Sequence, residues 1–162
     1  MASMPTATLS APAIPAHPIL GRMLRILYAD DLPELRGLLK EVLTHDGHHV
    51  ETVSDGGEAL ERLKQPLGPF DLLITDHHMP GVNGLDLVRQ TRQLAYPGKI
   101  VVFSSELSED VMEQYRQFDV DAILPKPIFP RTFRRVLAQL FAAERPPSGQ
   151  EQSATPFPST PG

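Results

Sequence analysis

Cysteine is absent from this chain of 162 residues. That excludes disulfides, thiolate metal sites and a thiol nucleophile, and it suits a reducing, cytoplasmic setting. No apolar stretch approaches the ~18–20 residues of a membrane span. The first twenty residues lack Lys and Arg and are broken by Pro5, Pro12, Pro15 and Pro18, so they do not form a secretory signal. An excess of positive charge is also missing. The net charge of −5 gives no field for a phosphate backbone, and direct nucleic-acid binding is not expected. No internal repeat is present. What remains is a chain with 41% apolar and 22% charged residues, enough for one packed domain and too apolar for wholesale disorder.

Proline marks the ends. It crowds residues 5 to 18 and again 146 to 161, so 1–21 and 144–162 are expected to be disordered tails around a folded unit at 22–143. Inside that unit, short β-rich runs alternate with helical patterns. "LRILYA" (24–29), "HHVETV" (48–53), "FDLLIT" (70–75), "KIVVFS" (99–104) and "DAIL" (121–124) are the strands. Between them, Leu35, Leu38, Leu39, Val42 and Leu43 fall on one helical face, with Pro33 in its first turn. Ser54 and Asp55 can cap a helix holding Ala59, Leu60 and Leu63. Asn83 and Gly84 open a third with Leu85, Val88 and Leu94. "LSEDVMEQYRQF" (107–118) is a fourth, acidic in its first turn as the helix dipole favours. Pro130 begins a fifth through Phe133, Val136, Leu137, Leu140 and Phe141. Five β-α units imply an α/β fold: a doubly wound, five-stranded parallel sheet of flavodoxin-like (βα)5 type. The near-continuous apolar runs fit strands buried on both faces.

In such a sheet, ligands sit beyond the carboxyl ends of the strands, where strand order reverses. The first strand ends in Asp30 and Asp31, the third in Asp76, the fourth in Ser104 and Ser105; the fifth leads through Pro125 to Lys126. For the order 2-1-3-4-5 the three carboxylates become neighbours. They repel unless a cation compensates, and hard oxygen ligands without cysteine favour Mg2+. Lys126 adds a mobile positive charge and Ser104 a hydroxyl. Together these groups suit an incoming phosphoryl group, with Asp76 the best nucleophile.

"YADD", "ITDHHMPGVNG", "VVFSS" and "LPKP", in that order at four strand ends, resemble the receiver domain of bacterial response regulators in two-component signalling. The resemblance covers about residues 23 to 143. It implies that Asp76 is the phosphoacceptor, that Asp30 and Asp31 hold Mg2+ with Asp31 the more direct ligand, and that the backbone carbonyl of His78 completes the metal site. It further implies that Ser104 bonds the phosphoryl oxygen, that Lys126 pairs with the group, and that the Lys126–Pro127 bond is cis. Implied donors are a sensor histidine kinase, a histidine phosphotransfer protein or a small phosphodonor; a downstream protein reads the change. His78 and Glu106 are expected to influence phosphoryl lifetime. One position departs from the family: Ile123, three residues before the lysine, stands where Tyr or Phe is common. That puts the switch formed with Ser104 in doubt, and with it the output face of helix four, strand five and helix five. After Phe141 only an acidic, proline-rich tail follows, so a stand-alone receiver is expected.

Plainer readings stand beside this one. The acids could be helix caps, Asp31 above all. His77 and His78, adjacent in an extended loop, point opposite ways and do not share an ion. His45, His48 and His49 are expected to be solvated, and Arg131, Arg134 and Arg135 to form a solvent face. A receiver that is never phosphorylated and serves as a binding module is an alternative, left open by Ile123. So is a metal-dependent phosphoesterase, suggested by Asp-His-His but lacking its further metal motifs. An aspartate-nucleophile phosphatase needs Asp-x-Asp, which "ADDLP" does not provide.

Overall fold

The structure is a computed structural model that describes residues 21–66 and 69–142; apart from Gly21, the two expected tails lie outside the described residues. Ten elements alternate: β1 (Arg25–Ala29), α1 (Pro33–His45), β2 (His49–Val53), α2 (Gly56–Leu63), β3 (Leu72–Thr75), α3 (Gly84–Gln93), β4 (Lys99–Ser104), α4 (Glu109–Gln117), β5 (Ala122–Pro125) and α5 (Pro130–Phe141). The strands form one parallel sheet in the order β2-β1-β3-β4-β5, as expected from the alternation. No helix among the described residues is long and apolar enough to cross a membrane.

Strand alternation divides the core. Ile26 and Tyr28 of β1 face the side covered by α1 and α5, while Leu27 and Ala29 face α2, α3 and α4. Leu39 and Leu43 of α1 join Phe133, Leu137 and Phe141 of α5 in the first layer. Leu60, Leu87, Val88 and Tyr115 build the second. Helix starts follow local chemistry. The Asp55 side chain accepts from the Glu58 N–H at 2.8 Å, and the Glu58 carboxylate returns the bond to Ser54 N–H at 2.9 Å. Asn83 caps α3 and Ser108 caps α4 in the same way. Proline opens α1 and α5.

Several expectations are corrected. Leu38, placed on the buried face of α1, is 60% exposed, because the stripe is wider than the sheet it covers. Leu94 forms the exposed C-cap of α3 and not part of its buried face. Asp31 caps nothing: the N-cap of α1 is Leu32, which uses no side-chain bond. Arg134 is not simply solvent-facing. Its Nε and Nη2 grip the buried Asp46 carboxylate at 2.7 and 2.8 Å, pinning the C-terminal end of α1 to α5. That grip raises the Arg134 pKa further. His45 and His49 are exposed, but His48 is buried, and its Nδ1 accepts from the Leu24 N–H at 3.2 Å. The chain turns inward there to start β2, and the ring closes the open amide of Leu24 ahead of β1.

Burial pulls the His48 pKa below its ordinary value, with Asp46 opposing. The unfolded chain therefore takes up this proton more readily than the folded one. Stability contributed by the neutral ring is intact above about pH 6.5 and is lost as pH falls through that value. Denaturation midpoints should drop between pH 7 and pH 5.5, and His48→Asn, which keeps an acceptor but cannot titrate, should flatten that slope; equal slopes would contradict it. Glycines provide a second test. A Cβ on Gly84 would strike the Asp76 carbonyl, the Tyr115 hydroxyl and the His77 Cα, whereas one on Gly37 meets open space. Gly84→Ala should cost about 1–3 kcal/mol in urea denaturation, while Gly37→Ala, inside an exposed turn of α1, should add up to about 1 kcal/mol.

Candidate functional site

The sheet order places the end of β1 beside the end of β3. The Asp76 N–H donates to the Ala29 carbonyl at 2.9 Å, and the Asp30 N–H to the Val53 carbonyl at 3.2 Å, so both acids are fixed by backbone where their strands stop. Asp30, Asp31 and Asp76 come together with carboxylate oxygens within 4.8 Å of one another. Asp30 and Asp76 are buried and Asp31 is exposed. Among the described residues this is the one group of three or more possible metal-ligating side chains, and it contains no histidine.

Lys126 was expected to be mobile; it is held. Its ammonium lies 2.7 Å from Asp30 Oδ2 and 3.2 Å from Asp76 Oδ2, with little solvent access. The long stem crosses Phe103, whose ring centre is 5.4 Å from the Nζ. The Lys126–Pro127 bond is cis, and the Lys126 N–H donates to the Ser104 carbonyl at 2.9 Å. Thr75 pairs with Val102, so Ser104 stands one residue beyond the level of Asp76 on the neighbouring strand. Its hydroxyl is buried and has no hydrogen-bond partner. Ser105, its neighbour, is exposed. Ile123, level with Val102, is half-buried in the layer that contains Tyr115.

Two tyrosines belong to the site although sequence reasoning passed over them. The Tyr28 hydroxyl donates to Asp30 Oδ2 at 2.6 Å, while the Leu32 N–H donates to Asp30 Oδ1 at 2.9 Å. Burial, reinforced by Asp30, drives the Tyr28 pKa upward, so the hydroxyl stays a donor. The signal was available: Tyr28 lies two residues before Asp30, which puts both side chains on one strand face. Tyr115 had no such signal. Its hydroxyl lies 2.6 Å from His77 Nδ1, and the His77 N–H donates to Asp76 Oδ1 at 2.7 Å.

The histidines also depart from expectation. The His77 and His78 rings do not diverge; they meet edge to face with centroids 4.8 Å apart. Burial, with His78 nearby, lowers the His77 pKa against the pull of Asp76. Burial likewise raises Tyr115, with Asp76 and Asp86 adding to it. A neutral ring and a protonated phenol match a hydroxyl donating to Nδ1. Gly84 makes this contact possible, since any side chain there would fill the space of the Tyr115 hydroxyl.

The donor set fits a small, hard divalent cation. Three carboxylates supply oxygen and surplus negative charge, and on the neighbouring strand the buried Ser104 hydroxyl has no hydrogen-bond partner. Mg2+ is an ion that such a set suits, since it takes one or two carboxylates and leaves positions for phosphate oxygen.

Comparison with known proteins agrees with this picture. The response regulator receiver domain family matches residues 26–138. The chain is 32% identical over 143 residues to the sensory/regulatory protein RpfC of Xanthomonas campestris, covering 84% of this chain but only 19% of RpfC. It is 30% identical over 127 residues to chemotaxis protein CheY-3 of Vibrio cholerae, covering 76% of this chain and 95% of CheY-3. Among solved structures, CheY4 of Vibrio cholerae aligns with a TM-score of 0.68 at 27% identity, over 74% of this chain and 99% of CheY4. The response regulator TrrA of Thermotoga maritima, solved with Mg2+ and beryllofluoride, aligns at 0.64 and 30% identity, over 73% of this chain and 99% of TrrA. Sheet order, strand-end acids and these likenesses converge: the chain belongs to the response regulator receiver domain family of two-component signalling.

Proposed function

We propose that this receiver is a phosphorylation-dependent switch that accepts a phosphoryl group on Asp76. The observation that carries the reading is the pairing of a lysine-neutralised, buried Asp76 with an unpartnered hydroxyl, Ser104, one strand away. A carboxylate oxygen of Asp76 attacks phosphorus. The bond from phosphorus to the donor breaks, and on a phosphohistidine donor the imidazole leaves and takes up a proton. Lys126 gives up its contact with Asp76 and follows the charge onto the transferred oxygens, where the Ser104 hydroxyl donates as well. Asp31, Asp76 and the His78 backbone carbonyl would hold Mg2+, with Asp30 alongside. When bound, the ion neutralises charge on the transferring oxygens. Asp30 keeps Lys126 within reach before transfer.

The donor is a sensor histidine kinase or a histidine phosphotransfer protein. RpfC and AruS, the latter a sensor histidine kinase of Pseudomonas aeruginosa, are relatives that fit such a relay. A groove beside Lys126 supports docking there: Leu32, Leu38 and Phe129 line it and are exposed, Phe129 to 75%. His78 and Glu106 flank a common cleft with Ser105, from which both can steer the water that removes the phosphoryl group.

Incubation with acetyl phosphate and Mg2+ should add the mass of one phosphoryl group, and Asp76→Ala should add none. An adduct of equal yield in the variant would end the assignment of Asp76. Lys126→Ala should bind Mg2+ more tightly by calorimetry, severalfold, because one cation no longer competes for Asp30 and Asp76. The same variant should not change conformation on phosphorylation; loss of metal binding would contradict the role given to Lys126.

A further inference from the structure

The position three residues before Lys126 is Ile123, which has no hydroxyl and no ring to turn inward. A change at Asp76 must reach the surface by another route. α4 shows where. Its sequence, EDVMEQYRQ, is polar along most of its length, and Tyr115 is its one buried residue. Tyr115 is thus the helix's deepest anchor on the sheet, with half-buried Val111 beside it. That anchor ends in a hydroxyl 2.6 Å from His77 Nδ1, with the two rings edge to face and centroids 5.6 Å apart. His77 is held at three points: its N–H donates to Asp76 Oδ1 at 2.7 Å, its carbonyl accepts from the Gly84 N–H at 2.9 Å, and its ring meets Tyr115. Two consecutive hydrogen bonds thus join the Asp76 carboxylate to α4.

Chemistry at Asp76 must alter the first of them. If Oδ1 forms the bond to phosphorus, the N–H loses its acceptor. If Oδ2 does, Oδ1 becomes an uncharged acyl oxygen. In the first case the charge-assisted bond is lost, and in the second it becomes a weaker neutral one. The His77 backbone is released, and its ring moves with it.

We propose that the His77–Tyr115 hydrogen bond is the link by which the state of Asp76 reaches α4, with Tyr115 as a positioning residue for the acceptor loop. The link is intact with a free carboxylate and breaks when Asp76 is modified. This rests on Asp76 being the acceptor. Coupling of this kind is reciprocal: a bond that must break on modification opposes modification, and deleting it favours the modified state.

Amide NMR spectra of the full chain with Mg2+, before and after beryllofluoride, test the proposal. In the wild type, amides of Asp30, Asp76, Ser104 and Lys126 should shift, and so should those of α4. Tyr115→Phe keeps the buried ring and removes only the hydroxyl. It should preserve the site shifts, reduce the α4 shifts by at least half, and bind beryllofluoride about fivefold more tightly, the size of one ordinary hydrogen bond. His77→Phe should behave alike, and His77→Asn, which restores an acceptor, should recover the α4 response. A variant that merely loosened α4 would not bind the anion more tightly. An α4 response in Tyr115→Phe equal to wild type, or an unchanged affinity, would overturn the link while leaving Asp76 in place. Silence of the site amides in the wild type would overturn the acceptor reading, and the link with it.

Discussion

The structure turns on one ammonium group placed between two buried carboxylates. Asp30 and Asp76 both lie out of solvent, and charges so placed cost several kcal/mol each unless they are paired and hydrogen-bonded. Lys126 supplies the pairing, at 2.7 and 3.2 Å. The Tyr28 hydroxyl shares Asp30 Oδ2 with the lysine, and the two remaining oxygens accept from the Leu32 amide and the His77 amide. The fold is arranged to make this possible. Only an order that puts β1 next to β3 brings the two acids together, and only a long, unbranched stem lets the residue just after the edge strand β5 reach them across β4. A shorter cation at position 126 would leave both acids unpaired.

The two faces of the sheet are secured in different ways. On one, α1 and α5 share an aliphatic and aromatic layer and are tied by the fork of Arg134 on Asp46. Each buried side chain there contributes roughly 1.5–3 kcal/mol. On the other, α2 and α3 each bury several residues, but α4 buries Tyr115 alone, with half-buried Val111 beside it. An element with few buried anchors is the one whose position a small change can alter, and local opening concentrates where buried contacts are few. The rigid face positions the acids, and the lightly held helix lies against the acceptor loop through His77.

The strands and their chemistry were legible because both have local causes. A run such as "LLIT" is apolar at every position since both faces are covered, and it stops at Asp76 because the next residue leaves the sheet. Four such ends, set in a doubly wound order, gave the site. Contacts between elements were less visible. Arg134 and Asp46 are 88 residues apart and His77 and Tyr115 are 38 apart, and helical periodicity reveals which face is buried but not which polar tip meets another. His48 failed for a related reason: an imidazole in a turn is usually wet, and only the open amide of Leu24 makes burial favourable. Tyr28 could have been read, since it shares a strand face with Asp30, but a tyrosine in an apolar run is ordinarily counted as core. It is both.

That double character matters to how the site changes state. On the proposed reading, Lys126 leaves the carboxylates as charge moves outward onto the transferred group. Asp30 then stays buried without its cation. An acid in that position would reclaim the lysine, and so resist transfer, unless other donors held its charge. Tyr28 does so from inside the core, on the same oxygen that Lys126 releases, and the Leu32 amide holds the other. Burial keeps the Tyr28 hydroxyl protonated, so this donor does not depend on the solvent outside. The tyrosine thereby lowers the penalty of moving the lysine, while its ring remains part of the packed layer beneath α1 and α5. Asp30 can hold the cation before transfer and release it afterwards because a second, immobile donor is already in place.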